Sequence, residues 1–184
     1  MYLNHQQISA LIEQGHMKHT DPECINPASL DVRLGREVMI EAMPIPGSVI
    51  DYRAREKLTM QQYTLPDSGI VIHPGQFMLA HTIEHCNLPD DVSALFRIKS
   101  SMGRIGLEHM DAGWVDPGFH GSLTLEYVNM TQHHSILLRP GDRIGQLVFF
   151  RGEAVDAARS YRAIGNYGGH EGVAQIGYRV TANG

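Results

Sequence analysis

The sequence predicts a mainly β fold, a barrel or jelly-roll-like meander with few helices. Three observations predict it. Two strand–Pro-Gly–strand units stand far apart in the chain: Ile70-Val71-Ile72-His73-Pro74-Gly75 leading into Phe77 to Thr82, and Leu137-Leu138-Arg139-Pro140-Gly141 leading into Ile144 to Phe149. Val92, Ala94, Phe96 and Ile98 alternate with more polar neighbours, the period of a half-buried strand. The same period returns where Leu123, Leu125 and Tyr127 face one way and Ser122, Thr124, Glu126 and Val128 the other. The two Pro-Gly units are too distant and too dissimilar elsewhere to indicate a solenoid.

Taken in order, the chain opens on a predicted helix from Asn4 to Gln14. Asn4 is the N-cap and Gln7 stands at capping-box spacing, while Leu3 and Ile8 occupy the staple positions. Ile8, Leu11 and Ile12 form the apolar stripe, and Gly15 ends the helix. Asn26 precedes Pro27 and is pushed toward extended backbone. Leu30, Val32 and Leu34 then alternate with Asp31 and Arg33, which read as an ion pair or subunit contact rather than catalytic groups. Residues 42–69 hold Pro44, Pro46, Gly47, Pro66 and Gly69 and read as a long irregular connection with one strand at most.

The strand ending at Ile98 delivers Lys99 and Ser100 to a short helical turn. Asp116-Pro117-Gly118 forms a turn, with Pro where φ is fixed and Gly where φ turns positive. The strand that follows carries Glu126 on the face away from its apolar neighbours, a stiff base for a reactive group. The last segment, from about residue 152, is rich in glycine and polar residues and reads as an arm on a single domain. Trp114 and Phe119 read more safely as core than as stacking partners for a ligand.

The bulk numbers agree with a soluble globular chain: 184 residues, 42% hydrophobic, 19% charged, net charge −5. No Lys/Arg-rich run is present, which argues against a nucleic-acid polymer as partner. A local cluster of cations is still enough for one nucleotide. No apolar run reaches bilayer length and the first residues carry no signal-peptide core, so no membrane is expected and the cytoplasm is the default. Cys24 and Cys86 allow one disulfide but no disulfide framework. There is no C-x-x-C, the histidines are scattered, and His85-Cys86 reads as buried structure, so zinc chemistry is not expected.

The runs KSSMGR (99–104), AGWVDPGF (112–119) and GSLTLE (121–126) occur in an order and spacing that resemble the dCTP deaminases, which share a fold with the trimeric dUTPases. The resemblance extends from about residue 3 to about residue 172. It implies a distorted, dUTPase-like β-barrel assembled as a homotrimer with active sites between subunits. It also implies hydrolytic, zinc-independent deamination of a deoxycytidine nucleotide, most simply dCTP to dUTP and ammonia. Glu126 falls on the family's acid–base glutamate. Ser100, Arg104 and the carbonyl of Ala112 fall on groups that hold the attacking water. Lys99, Ser101, Met102, Gly103, Asp116, Thr124, Leu125, Gln146, Tyr161 and His170 are expected to hold sugar, base and phosphates. Magnesium is expected to accompany the phosphates.

Departures from the family pattern set the alternatives. Asp111 stands where a threonine is usual, the loop at Glu108-His109-Met110 is one residue short, and Asn166 to His170 replaces a Lys-Tyr-x-x-Gln pattern. Asp111 therefore becomes a candidate acceptor for a substituted base. Asp116 supports a second reading, a dUTPase or a bifunctional enzyme ending at dUMP. A non-catalytic nucleotide-binding regulator is the third, against which the joint presence of Glu126, Ser100 and Arg104 weighs.

Overall fold

In the computed structural model, which describes residues 1–43 and 47–175, short strands wrap one contiguous apolar core. The elements are α1 (His5–Glu13), β1 (Met17–Lys18), β2 (Leu30–Arg33), β3 (Glu37–Glu41), β4 (Met60–Thr64), β5 (Ile70–Ile72), β6 (Phe77–Asn87) and β7 (Val92–Ile98). There follow α2 (Ser100–Arg104), β8 (Leu107–His109), β9 (Trp114–Val115), β10 (His120–Asn129), β11 (Ile136–Leu138), β12 (Arg143–Arg151) and α3 (Tyr161–Ile164). Pro44 and Pro46 of the irregular connection, and residues 176–184 of the arm, lie outside the described residues. Among the described residues no helix is long and apolar enough to cross a membrane.

Local rules place the first helix. The Asn4 side chain accepts from the Gln7 N–H and the Gln7 side chain accepts from the Asn4 N–H, so both halves of the capping box form. Leu3, Ile8 and Leu11 are buried.

One sheet runs β4-β3-β6-β10-β8, with β1 also paired to β6, and a second runs β2-β12-β7-β9. Both feed the same core: Met78, Ala80, Leu125 and Tyr127 from the first, Val32, Phe96, Leu147 and Phe149 from the second. The two strand–Pro-Gly–strand units meet, since β5 and β11 pair antiparallel in a third small sheet. This is the distorted β-barrel expected, with few short helices. Among the described residues of 42–69, β4 is the single strand, added to the edge at β3.

Asp31 forms an ion pair, as the sequence suggests, but it does so buried, at 1% exposure. Lys99 Nζ, Asn26 Nδ2 and Arg143 gather on its carboxylate, so the charge is sealed with partners rather than left in solvent. Arg33 pairs instead with buried Glu84, at 2.7 Å, and burial pushes the Glu84 carboxyl above its usual range despite the bonds from Arg33. Finally, Cys24 and Cys86 are both buried free thiols and form no disulfide; burial pushes Cys86 up to about 12.

Candidate active site

β10 is the base of the site. It lies between β6 and β8, and Glu126 stands opposite Leu79 on β6. Its burial alternates as the sequence predicts from Thr124 to Asn129, with Leu125 and Tyr127 inward and Thr124, Glu126 and Val128 less buried. Burial also pushes the Tyr127 phenol well above its usual range. The β10–β6 register shifts between Ser122 and Thr124. At that irregularity the Leu123 N–H donates to Thr82 Oγ1, 3.0 Å away, instead of to the ladder. The break brings Ser122, Leu123 and Thr124 all onto one cavity wall, with Leu123 still buried in the core as alternation assigns it.

That cavity, of about 620 Å³, contains Glu126 on its β10 wall. Ala112, Trp114 and Asp116 line it from the segment preceding the turn. Gly113 is buried between them because a Cβ there would sit 2.5 Å from the carbonyl oxygen of Phe96; only glycine lets the two backbones approach this closely. The Phe96 N–H donates to the Gly113 carbonyl at 2.7 Å, which fixes the neighbouring Ala112 peptide. The Phe119 N–H donates to the Asp116 carbonyl across the turn, at 3.1 Å, and Gly118 takes φ +80° as expected. Trp114 is 59% exposed and donates from Nε1 to Asp116 Oδ1 at 2.9 Å, so it is a wall of the cavity and not core. Phe119 is core, packed against the Tyr161 ring at 5.3 Å.

The arm closes one side. The Tyr161 N–H donates to the Pro117 carbonyl at 3.0 Å, and burial raises the Tyr161 phenol. The chain then runs beside β10: the Ser122 N–H donates to the His170 carbonyl at 3.1 Å, the Gly172 N–H to Ser122 Oγ at 3.0 Å and the Ala174 N–H to Thr124 Oγ1 at 3.0 Å. Tyr161, Tyr167 and His170 thereby reach the cavity.

Six of the expected residues therefore share one cavity: Ala112, Asp116, Thr124, Glu126, Tyr161 and His170. Another group lies elsewhere. Ser100, Ser101, Gly103 and Arg104 are exposed on α2, and Met102 packs on the core edge. None of them, nor Lys99, lines the cavity of Glu126. Lys99 is committed to Asp31, which leaves Arg104 as the open cation of α2; among the described residues it makes no ion pair. Gln146 lies beside this group, opposite Asp31 in the β12–β2 ladder, and accepts from Ser29 Oγ at 2.8 Å.

Two further expected residues lie outside that cavity. Leu125 is 2% exposed and points into the core, because the residue before Glu126 must face the other side of the strand. Asp111 does not line the cavity of Glu126. Held at φ +58°, it pairs with Arg97 and lines a second cavity with Phe96, Ile98, Glu108 and His109.

Sequence reading missed Ile50, Tyr52, Glu56 and Leu58, which border the main cavity from the irregular connection. That segment has no periodicity to read. It also missed β8 and His109, whose Nε2 lies 3.3 Å from Glu126 Oε2. Among the described residues no three His, Cys, Asp or Glu gather as metal ligands.

Comparison with known proteins places this geometry. A family profile described as dCTP deaminase-like matches residues 2–152. A "dCTP deaminase, dUMP-forming" of Methanospirillum hungatei is 41% identical over 157 residues, covering 83% of each chain. One of the same description from Methanosphaerula palustris is 38% identical over 173 residues, covering 92% of this chain and 91% of its own. The crystal structure of the 2′-deoxycytidine 5′-triphosphate deaminase of Agrobacterium tumefaciens superposes with a TM-score of 0.66 at 30% identity. It matches 84% of this chain, which spans about half, 49%, of that solved chain. The first two relatives are named for dUMP as product, whereas the expectation from the sequence ends at dUTP.

Proposed function

Since the chain belongs to the dCTP deaminase-like family, we propose that it hydrolyses dCTP to dUMP, ammonia and pyrophosphate in one site. The observation that carries this reading is the pair of carboxylates, Glu126 and Asp116, lining a single cavity. The two groups stand on separate segments, Glu126 on β10 and Asp116 in the turn after β9, so each can serve one of the two hydrolytic steps.

In the first step Glu126 takes a proton from water as the oxygen attacks C4 of the cytosine, and passes it to N3. A second proton moves from the new hydroxyl through Glu126 to the amino group, C4–N breaks, and ammonia leaves. The Ala112 carbonyl, fixed by its glycine neighbour, accepts from the water or the amino group. In the second step Asp116 activates a water for attack on the phosphate chain of dUTP, releasing pyrophosphate. Thr124, Tyr161 and His170 border the base and sugar. Magnesium bound to the substrate would offset the charge of its phosphates.

Ser100, Ser101 and Arg104 complete the site from a neighbouring subunit. Their exposure on α2, away from the cavity of the same chain, supports a homotrimer in which each α2 closes the next subunit's cavity. Arg104 supplies there the fixed positive charge a triphosphate requires. Asp111 lies outside the cavity of Glu126 and beside Arg97, which supports unmodified cytosine over a substituted base.

The test measures ammonia and pyrophosphate release from dCMP, dCDP, dCTP and their 5-substituted forms, with the products separated by chromatography. dCTP should be preferred and dUMP should accumulate. Accumulation of dUTP alone would return the chain to simple deamination. Sedimentation should give three times the 20.5 kDa chain mass. Mixed trimers of Glu126→Gln and Arg104→Ala chains should regain activity that neither has alone, and failure to do so would rule out shared sites.

A further inference from the structure

The inner carboxylate oxygen of Glu126 has an unusual setting. Oε2 is sealed from solvent and has no well-aligned hydrogen-bond donor among the described residues, and His109 Nε2 is likewise sealed and unpaired. The two atoms lie 3.3 Å apart. His109 ends β8, and its partner across the ladder is Tyr127, the residue after Glu126. The Met110 N–H donates to the Glu126 carbonyl at 3.0 Å, so the backbone of β8 and β10 holds the two side chains in register. The imidazole is clamped between Phe96 and Tyr127, with ring centroids 4.6 and 5.6 Å away, and its side chain is 4% exposed. Glu126 keeps 28% of its side chain accessible, so Oε1 is the oxygen left to meet a ligand.

A buried carboxylate oxygen and a buried imidazole nitrogen are each costly when unpartnered. One arrangement relieves both: a proton on Nε2 donated to Oε2. We propose that His109 is a positioning residue for deamination, donating from Nε2–H to Glu126 Oε2. This bond holds the carboxylate plane and keeps proton transfer on Oε1. It occupies the lone pair that would otherwise let the carboxyl rotate or pick up its proton on the wrong side. The inference rests on Glu126 being the acid–base group, and adds what orients it. His109 itself does not line the cavity of Glu126; it borders the second cavity with Arg97, Glu108 and Asp111, so its effect on substrate passes through Glu126.

The experiment uses the full chain as wild type, His109→Phe, His109→Gln and Glu126→Gln. Phe fills the clamp without a donor, and Gln restores an N–H at similar reach. Ammonia release from dCTP should fall roughly 10- to 100-fold in kcat for His109→Phe, the worth of one hydrogen bond to a charged group, with KM little changed. His109→Gln should recover most of that loss. In long-range proton–nitrogen spectra of the wild type, assigned by the signal missing from His109→Phe, the proton should sit on Nε2 and shift in Glu126→Gln. A proton on Nδ1 alone, or a spectrum indifferent to Glu126→Gln, overturns the proposal. So does a kcat unchanged in His109→Phe, or a loss that His109→Gln does not relieve and that follows thermal stability. A wild type that releases no ammonia from dCTP sinks the deaminase reading and the positioning role with it, whereas the spectrum, which needs no turnover, decides the hydrogen bond separately.

Discussion

Replacing Glu126 with Gln removes one titratable proton and almost no volume. Positioned acid–base groups contribute about 10²- to 10⁴-fold, and this carboxyl is assigned proton transfers to both N3 and the leaving amine. A loss of roughly 10³- to 10⁴-fold in kcat is expected, about 4–5.5 kcal/mol of barrier. The fold should hardly respond. Glu126 is partly exposed, and among the described residues the close charged or imidazole partner of its side chain is His109, at 3.3 Å. The stability change should stay within about 1 kcal/mol, or roughly 2–4 °C in melting temperature for a chain of this size. The assay couples ammonia release to chromatographic separation of dCTP, dUTP and dUMP, with thermal melting recorded with and without dCTP. The variant should bind dCTP, release no measurable ammonia, and still convert supplied dUTP to dUMP through Asp116. Turnover within about tenfold of wild type would refute the assignment, since the loss would lie below the range of acid–base catalysis.

Asp116→Asn should reverse the pattern, releasing ammonia from dCTP while dUTP accumulates; equal loss of both steps would make Asp116 a binding group only. Gly113→Ala forces a Cβ to 2.5 Å from the Phe96 carbonyl oxygen, on backbone held by the β7–β9 pairing. It should cost roughly 1–3 kcal/mol and reduce ammonia release further than stability alone explains, as the Ala112 carbonyl moves; an unchanged melting temperature contradicts the close approach. His81 is held below its ordinary value of 6.5, chiefly by burial, with Nε2 accepting from the Glu37 N–H and Nδ1 facing the Thr82 carbonyl. The unfolded chain therefore takes up this proton first, so stability is present above about pH 6.5 and is lost as pH falls below it. Melting midpoints should drop between neutral pH and pH 5.5 and do so less in His81→Gln; parallel curves for the two proteins would exclude His81 as the cause. Activity should survive a zinc-selective chelator in excess magnesium, and one zinc per chain at Glu126 would overturn the metal-independent step.

The sequence by itself determined what depends on neighbours along the chain. The capping box at Asn4, the alternation over Val92 to Ile98, the turn at Asp116 and the outward face of Glu126 are all set by local backbone geometry and period. The resemblance in the central runs added roles to residues whose type and spacing alone left them ordinary. Only the tertiary structure decided what lies opposite each face. Asp31 reads as an ion-pair residue, but its burial among three partners from other segments is set by the tertiary structure. Alternation puts Leu123 in the core, where it is, but does not tell that a register shift also brings it to the cavity wall between Ser122 and Thr124. Tyr52 and Glu56 reach the cavity from a stretch with no pattern, and His109 meets Glu126 because β8 pairs beside β10. Periodicity reports that a side chain is buried or exposed, whereas the partner it meets depends on pairing between segments distant in sequence. The same division separates Ser100 and Arg104, legible as a motif, from Glu126, whose cavity their own chain does not let them line.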